Sequence, residues 1–129
     1  MIKSGILNPH ILSLVARVRH TNMLVIADRG FPFWPMIETV DISLVDGVPT
    51  VLQVFQAVTA ACAIGQVYMA EEFLAANTAE VKANLNAVGA GIPFSYEPHV
   101  DLKKRVPAAI GLIRTGDVIQ YANMVLVSA

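Results

Sequence analysis

Three histidines, His10, His20 and His99, carry the side chains best suited to give and take a proton near neutrality, at an ordinary pKa of about 6.5. His10 falls inside a first helical turn behind Pro9, where a solvated surface role is the plainer one. His20 and His99 fall at helix boundaries beside loops, where reactive side chains are often displayed. A capping or surface role is the competing account of each. Asp28 closes an apolar run, and Tyr121-Ala122-Asn123 leads into another. A proton carrier beside an aspartate makes acid–base chemistry available without naming a reaction.

Several other chemistries lack their motifs. The chain has no G-x-S-x-G elbow, no G-x-x-x-x-G-K-[ST] loop, no H-E-x-x-H pair and no G-x-G-x-x-G after a strand. Three histidines could supply a metal site by count, but their spacing does not support one, so no metal and no cofactor are expected. Cys62 lies in Ala60-Ala61-Cys62-Ala63 with no charged neighbour, so it reads as a small buried hydrophobe, and no intramolecular disulfide is possible. Glu71 and Glu72 are adjacent on a helix and point in different directions, so a solvated first turn is the economical account.

The elements that must position these residues follow from caps and periodicity. Asn8-Pro9 opens a helix carrying Ile11, Leu14, Val15 and Val18 on one stripe, with Arg17 and Arg19 expected in its last turn and His20 directly after. Residues 23–27 read as a strand buried on both faces, ending at Asp28 and the turn-rich Arg29-Gly30-Phe31-Pro32. A second strand is expected over 37–42, an apolar helix over 50–61 and a buried strand over 64–70. A helical region follows from Glu71 to Val88 with a break near Asn77. Residues 92–96 suit a strand, and 98–105 a short helix stopped before Pro107. Residues 108–114 fit helix or strand equally, and 124–127 make a final strand. Alternation of this kind predicts one α/β domain over residues 1–129: three layers, α/β/α, around a mostly parallel, mixed sheet.

Composition limits the partners. Nine basic and ten acidic residues leave a net charge of −1, no footprint for nucleic acid or an anionic membrane. Apolar residues make up 55% and charged residues 15%, against about 45–50% and about 25% in an ordinary domain. So few charges cannot comfortably coat a monomer, which points to a homo-oligomer. Gly47 to Ala70 is uncharged and long enough to span a bilayer, yet Pro49, Gln53, Gln56, Gly65 and Gln66 interrupt it, and a helix followed by a strand explains it better. The N-terminus lacks the apolar run of a signal peptide, so a cytoplasmic setting is expected.

Several segments, taken together and in order, resemble the ribose pyranase and fucose mutarotase family (RbsD/FucU). They are Leu7-Asn8, His20-Thr21, Asp28-Arg29-Gly30-Phe31-Pro32, Asp46-Gly47-Val48-Pro49 with Gln53-Val54 and Val58-Thr59, Ala70-Glu71-Glu72, His99 with Lys103, Ile113-Arg114-Thr115-Gly116, and Tyr121-Ala122-Asn123. The set is collinear over essentially the whole chain and fits the ribose branch better than the fucose branch. The resemblance implies interconversion of pyranose and furanose forms of a free monosaccharide, D-ribose above all, by a cofactor-free isomerase. It further implies a ring-like cytoplasmic homo-oligomer, a decamer. Carried over by position, His20 is the proton donor, and Asp28, His99, Tyr121, Ala122 and Asn123 bind the sugar.

The chain departs from the family at Arg19-His20-Thr21-Asn22, where G-H-T-D is usual, at Arg29, at Phe33-Trp34-Pro35, at Leu102 and at Gln120. Two added arginines and an indole beside the cleft would suit a larger or anionic sugar, and a mutarotase for another sugar, such as fucose or an anionic monosaccharide, is the second enzyme reading. The other account has Arg19 and Arg29 solvated or at subunit contacts and Trp34 packed at an interface. A sugar-binding paralogue without turnover is the alternative outside enzymes.

Overall fold

Short apolar runs become the inner strands of a single six-stranded sheet, and the capped segments between them become its covering helices. The computed structural model describes all residues 1–129. The strands are β1 (Met23–Ala27), β2 (Glu38–Asp41), β3 (Ile64–Ala70), β4 (Phe94–Glu97), β5 (Gly111–Arg114) and β6 (Met124–Ser128). The helices are α1 (Pro9–Ala16), α2 (Val51–Ala61), α3 (Glu71–Ala76), α4 (Ala79–Val88) and α5 (His99–Arg105), the last running into a 3-10 turn at Val106–Ala108.

Local chemistry fixes the helix starts. The Asn8 carboxamide accepts from the His10 and Ile11 N–H groups at 2.9 and 3.0 Å, with Pro9 at the position that needs no donor. Thr50 and Gln53 form a reciprocal capping box on α2. Thr78 caps α4, which is why the expected helix from Glu71 to Val88 breaks at Asn77. One expectation fails at the end of α1: the helix stops at Ala16, so Arg17 is its cap residue and His20 lies four residues beyond it. His20 is therefore outside the last turn, where the negative end of a helix dipole acts.

The sheet order is β2-β5-β1-β6-β3-β4. β1 pairs parallel with β5, β5 with β2 and β3 with β4, while β6 runs antiparallel between β1 and β3. Five strands thus point one way and one runs back. The carboxyl ends of β1, β3, β4 and β5 and the start of β6 consequently share one edge of the sheet. The ambiguous segment 108–114 resolves into the 3-10 turn and then β5, which is buried at every position because it lies between β1 and β2.

Strand side chains alternate between two cores, as the pleat requires. Leu24, Ile26, Val67, Met69, Ile113, Met124 and Leu126 face α1, α2, α3 and α4 in the larger cluster of 17 buried residues. Val25, Ala27, Leu112 and Val125 face Phe31, Leu102, Val106 and Ala109 in a smaller cluster of nine. The layers are helix, sheet, helix, as expected. Each fully buried Leu, Ile or Phe contributes about 1.5–3 kcal/mol in this arrangement. Gly116 permits a close approach beyond β5: a Cβ there would lie 2.3 Å from the Val45 carbonyl oxygen and 2.5 Å from that of Val48. That contact holds the 44–49 turn against the loop leading to Tyr121. No helix is long and apolar enough to cross a membrane.

Candidate functional site

Four of the residues singled out in the sequence meet at the shared sheet edge. Asp28, His99, Tyr121 and Asn123 line one open cleft of about 410 Å³, together with Gly30, Phe31, Pro32 and Gln120. The chain reaches this point from three directions: from the end of β1, from the end of β4 through Pro98, and from the loop entering β6.

Asp28 and Asn123, 95 residues apart, form the floor. The Asp28 N–H donates to Asn123 Oδ1 at 2.7 Å, and Asn123 Nδ2 donates to Asp28 Oδ2 at 3.1 Å. The Gly30 N–H donates to Asp28 Oδ1 at 2.9 Å, so each carboxylate oxygen is held by one donor. Asn123 is only 3% exposed. Two short bonds at that burial set the carboxylate's direction, and its remaining lone pairs are free for ligand hydroxyls. Tyr121 sits at φ +57°, a left-handed conformation that turns the chain between the sheet edge and β6. Ala122, bracketed by these two, is buried and lines a separate apolar cavity beneath α2 and α4, with Leu52 and Leu85. Its side chain lies outside the cleft, because successive residues entering a strand face opposite ways.

His99 is the first residue of α5, and its ring stands 5.2 Å from that of Tyr121, edge to face, and 6.1 Å from Phe31. Pro98 offers no side-chain cap to this helix. Glu72, at the start of α3, supplies one by accepting the His99 N–H at 3.0 and 3.1 Å. Glu72 is therefore part of the site's scaffold rather than a merely solvated carboxylate. Burial pushes the His99 imidazole below its ordinary 6.5, and the Lys103 ammonium pushes the same way against smaller pulls from Glu72 and Asp28.

The folded protein accordingly holds His99 neutral at pH 7. As pH falls below 6.5 the unfolded chain takes up this proton first, so His99's contribution to stability is present above 6.5 and declines towards its lower folded midpoint. An NMR titration of the imidazole is expected to give a His99 midpoint below 6.5, moved upward in Lys103→Met. A midpoint above 6.5 would contradict the assignment.

Arg114, within the Ile113-Arg114-Thr115-Gly116 segment, carries the loop. Only 9% exposed, its guanidinium donates to the carbonyls of Asp28 at 3.1 Å, Arg29 at 3.3 Å and Pro32 at 3.1 Å. Three carbonyls on one planar fork fix the segment that bears Asp28. Asn77 does the same for the other wall, donating to the Gln120 and Phe73 carbonyls, both at 2.9 Å. Sequence could have flagged Arg114 as a cation at the end of an apolar run. Asn77 gives no signal beyond a helix break.

His20 is not in this cleft. It is exposed, in the turn before β1, and Asp28 follows the strand's other end. The five residues of β1 span roughly 16 Å at about 3.3 Å each. Within one chain, therefore, Asp28 and His20 do not meet. Of the two accounts of Arg19 and Arg29, the solvated one matches their contacts within the chain. Arg19 Nη1 donates to the Ala16 and Val18 carbonyls at 2.7 and 2.9 Å, and Arg29 pairs with Asp46 at 2.8 Å. Trp34 lies behind the cleft wall, 6.1 Å from Phe31, lining a different depression with Lys103 and Lys104.

Residues 1–129 match the RbsD / FucU transport protein family. The chain is 38% identical over 126 residues to a D-ribose pyranase of Halalkalibacterium halodurans, covering 98% of this chain and 95% of that protein. A D-ribose pyranase of Geobacillus kaustophilus is 38% identical over 126 residues, at 98% and 92% coverage. Among solved structures, Bacillus subtilis RbsD complexed with D-ribose superposes at a TM-score of 0.92 with 32% identity, covering 100% of this chain and 98% of that one. A fucose mutarotase of Streptococcus pneumoniae shares the fold at a TM-score of 0.79 with 16% identity, at 95% and 92% coverage.

Proposed function

This chain belongs to the RbsD/FucU family of sugar mutarotases, and from that premise we propose that it interconverts the pyranose and furanose forms of β-D-ribose. The observation that carries the reading is the convergence of Asp28, His99, Tyr121 and Asn123 on one cleft, in a chain similar over nearly its full length to D-ribose pyranases. Such a cleft is rich in directional partners for hydroxyls, and no lysine or arginine is among its lining residues. That favours a neutral sugar over an anionic one.

The chemistry needs only proton transfers. Opening the pyranose breaks the bond from C1 to the ring oxygen O5; O5 gains a proton and the anomeric hydroxyl loses one, leaving a carbonyl at C1. Closure by the C4 hydroxyl forms the furanose, O4 losing its proton as the carbonyl oxygen gains one. His20 is the donor in this reading, histidine being the side chain whose chemistry lets it both give and take a proton. Asp28 accepts from sugar hydroxyls while Asn123 and Gly30 hold it still. The His99 Nε2, buried without a partner in the chain, gains one from a sugar hydroxyl.

Because His20 and Asp28 lie at opposite ends of β1, the complete site takes His20 from a second copy. Such a contact joins two different surfaces, and repeated head to tail it closes into a ring. The exposed Leu44, Val45, Val48 and Val118 supply apolar area for it. A cytoplasmic decamer is the assembly we assign. The test is NMR saturation transfer between pyranose and furanose anomeric protons of D-ribose. The protein is expected to speed exchange, and His20→Ala to slow it about 100-fold or more, the range of general acid–base catalysis. Exchange at the uncatalysed rate with folded, assembled protein would overturn the reading.

A further inference from the structure

His20 makes no side-chain hydrogen bond within its own chain, so only its backbone can aim it. That backbone is unusually constrained. The Arg19 N–H donates to Asn22 Oδ1 at 2.9 Å, and the Asn22 N–H donates back to the Arg19 carbonyl at 3.0 Å. Asn22 thus closes the turn on both sides of His20, once with its side chain and once with its main chain. The turn is also tied to the end of β6: the Thr21 N–H donates to the Ser128 carbonyl at 3.1 Å, and the Ser128 N–H to the Asn22 carbonyl at 2.9 Å.

Between these bonds Thr21 sits at φ +65°. A β-branched residue there is a steric outlier, and glycine would adopt the same conformation freely. Thr21 is exposed, so packing does not require a threonine. Strain that persists on a surface turn beside a reactive group points to a constraint the function uses. The side chain of Arg19 folds back on α1 and adds a third anchor on the N-terminal side.

The structure assigns Asn22 and Thr21 as positioning residues for His20: a closed, strained turn that presents the imidazole in one direction to the cleft of a second copy. The assignment rests on His20 being the proton donor of the proposed mutarotase. Asn22 stands where the family usually has aspartate, and an aspartate carboxylate could accept the Arg19 N–H equally well. What the turn requires is an acceptor at this position.

The test is steady-state exchange kinetics on the assembled protein with D-ribose, alongside thermal unfolding. Asn22→Ala is expected to lower kcat at least tenfold with KM nearly unchanged, since small misplacements of a catalytic group are costly. Asn22→Asp is expected to restore most of the loss. Thr21→Gly is expected to lower kcat while leaving Tm unchanged or raised, an outcome a merely structural role would not give. In a His20→Ala background, Asn22→Ala is expected to have no further effect, because both changes act through one group. Unchanged kcat in both Asn22→Ala and Thr21→Gly, with His20→Ala inactive, would overturn this assignment alone. No exchange by the unmodified protein would overturn it together with the reading beneath it.

Discussion

Subunits carrying His20→Ala and subunits carrying Asp28→Ala, each inert alone, are expected to recover exchange activity when they are unfolded and refolded together. The reason is the direction of β1. His20 precedes the strand and Asp28 follows it, while the antiparallel β6 repeats the separation: Ser128 bonds the His20 turn and Asn123 bonds Asp28. No side-chain rotation brings an imidazole across the length of a buried strand. A site assembled from two copies contains Asp28 from one chain and His20 from its neighbour. In a random one-to-one mixture about a quarter of such sites hold both native residues. Activity near a quarter of the unmodified level is therefore the expected result, against none for either variant alone. A mixture as inert as its components would mean that both residues act from one chain, and the shared-site reading would fall.

This separation also marks how far the sequence could be read. Asn8-Pro9, the apolar stretch 50–61 and the run Ile64–Ala70 announce α1, α2 and β3 because caps and apolar runs are local chemistry. The break at Asn77 was legible for the same reason. Strand order is not local. Nothing in Gly111–Arg114 says that it lies between β1 and β2, and a short run buried on both faces reads equally as helix or strand. Asp28 and Asn123 could be suspected separately, but only the fold joins them across 95 residues. His20 and Asp28 show the converse: only eight positions apart, they are held at opposite ends of β1 by five extended residues. Glu72 and Arg114 escaped as scaffold because their partners are main-chain groups of distant segments, which no spacing reveals.

Asn123→Asp should be among the most damaging small changes in the chain, and its damage should depend on pH. The substitution keeps size and shape, and retains the oxygen that accepts the Asp28 N–H. It replaces Nδ2, the donor 3.1 Å from Asp28 Oδ2, with a second acidic oxygen. Two carboxylates in hydrogen-bond contact, one of them almost wholly buried, cannot both stay ionised at low cost, so the pair holds a shared proton to higher pH than either would alone. At pH 8, with that proton lost, repulsion turns Asp28 from its position, and exchange is expected to fall roughly 100-fold, equivalent to about 2.7 kcal/mol. Towards pH 5 the shared proton restores an O–H donor to Asp28, so the variant should regain activity relative to the unmodified protein, and its Tm deficit should shrink in parallel. Asn123→Ala, which has no proton to recover, should stay impaired throughout. If Asn123→Asp instead matched the native protein at pH 8, the Asp28 carboxylate would not need its donor, and its role as the fixed sugar acceptor would have to pass to another group of the cleft.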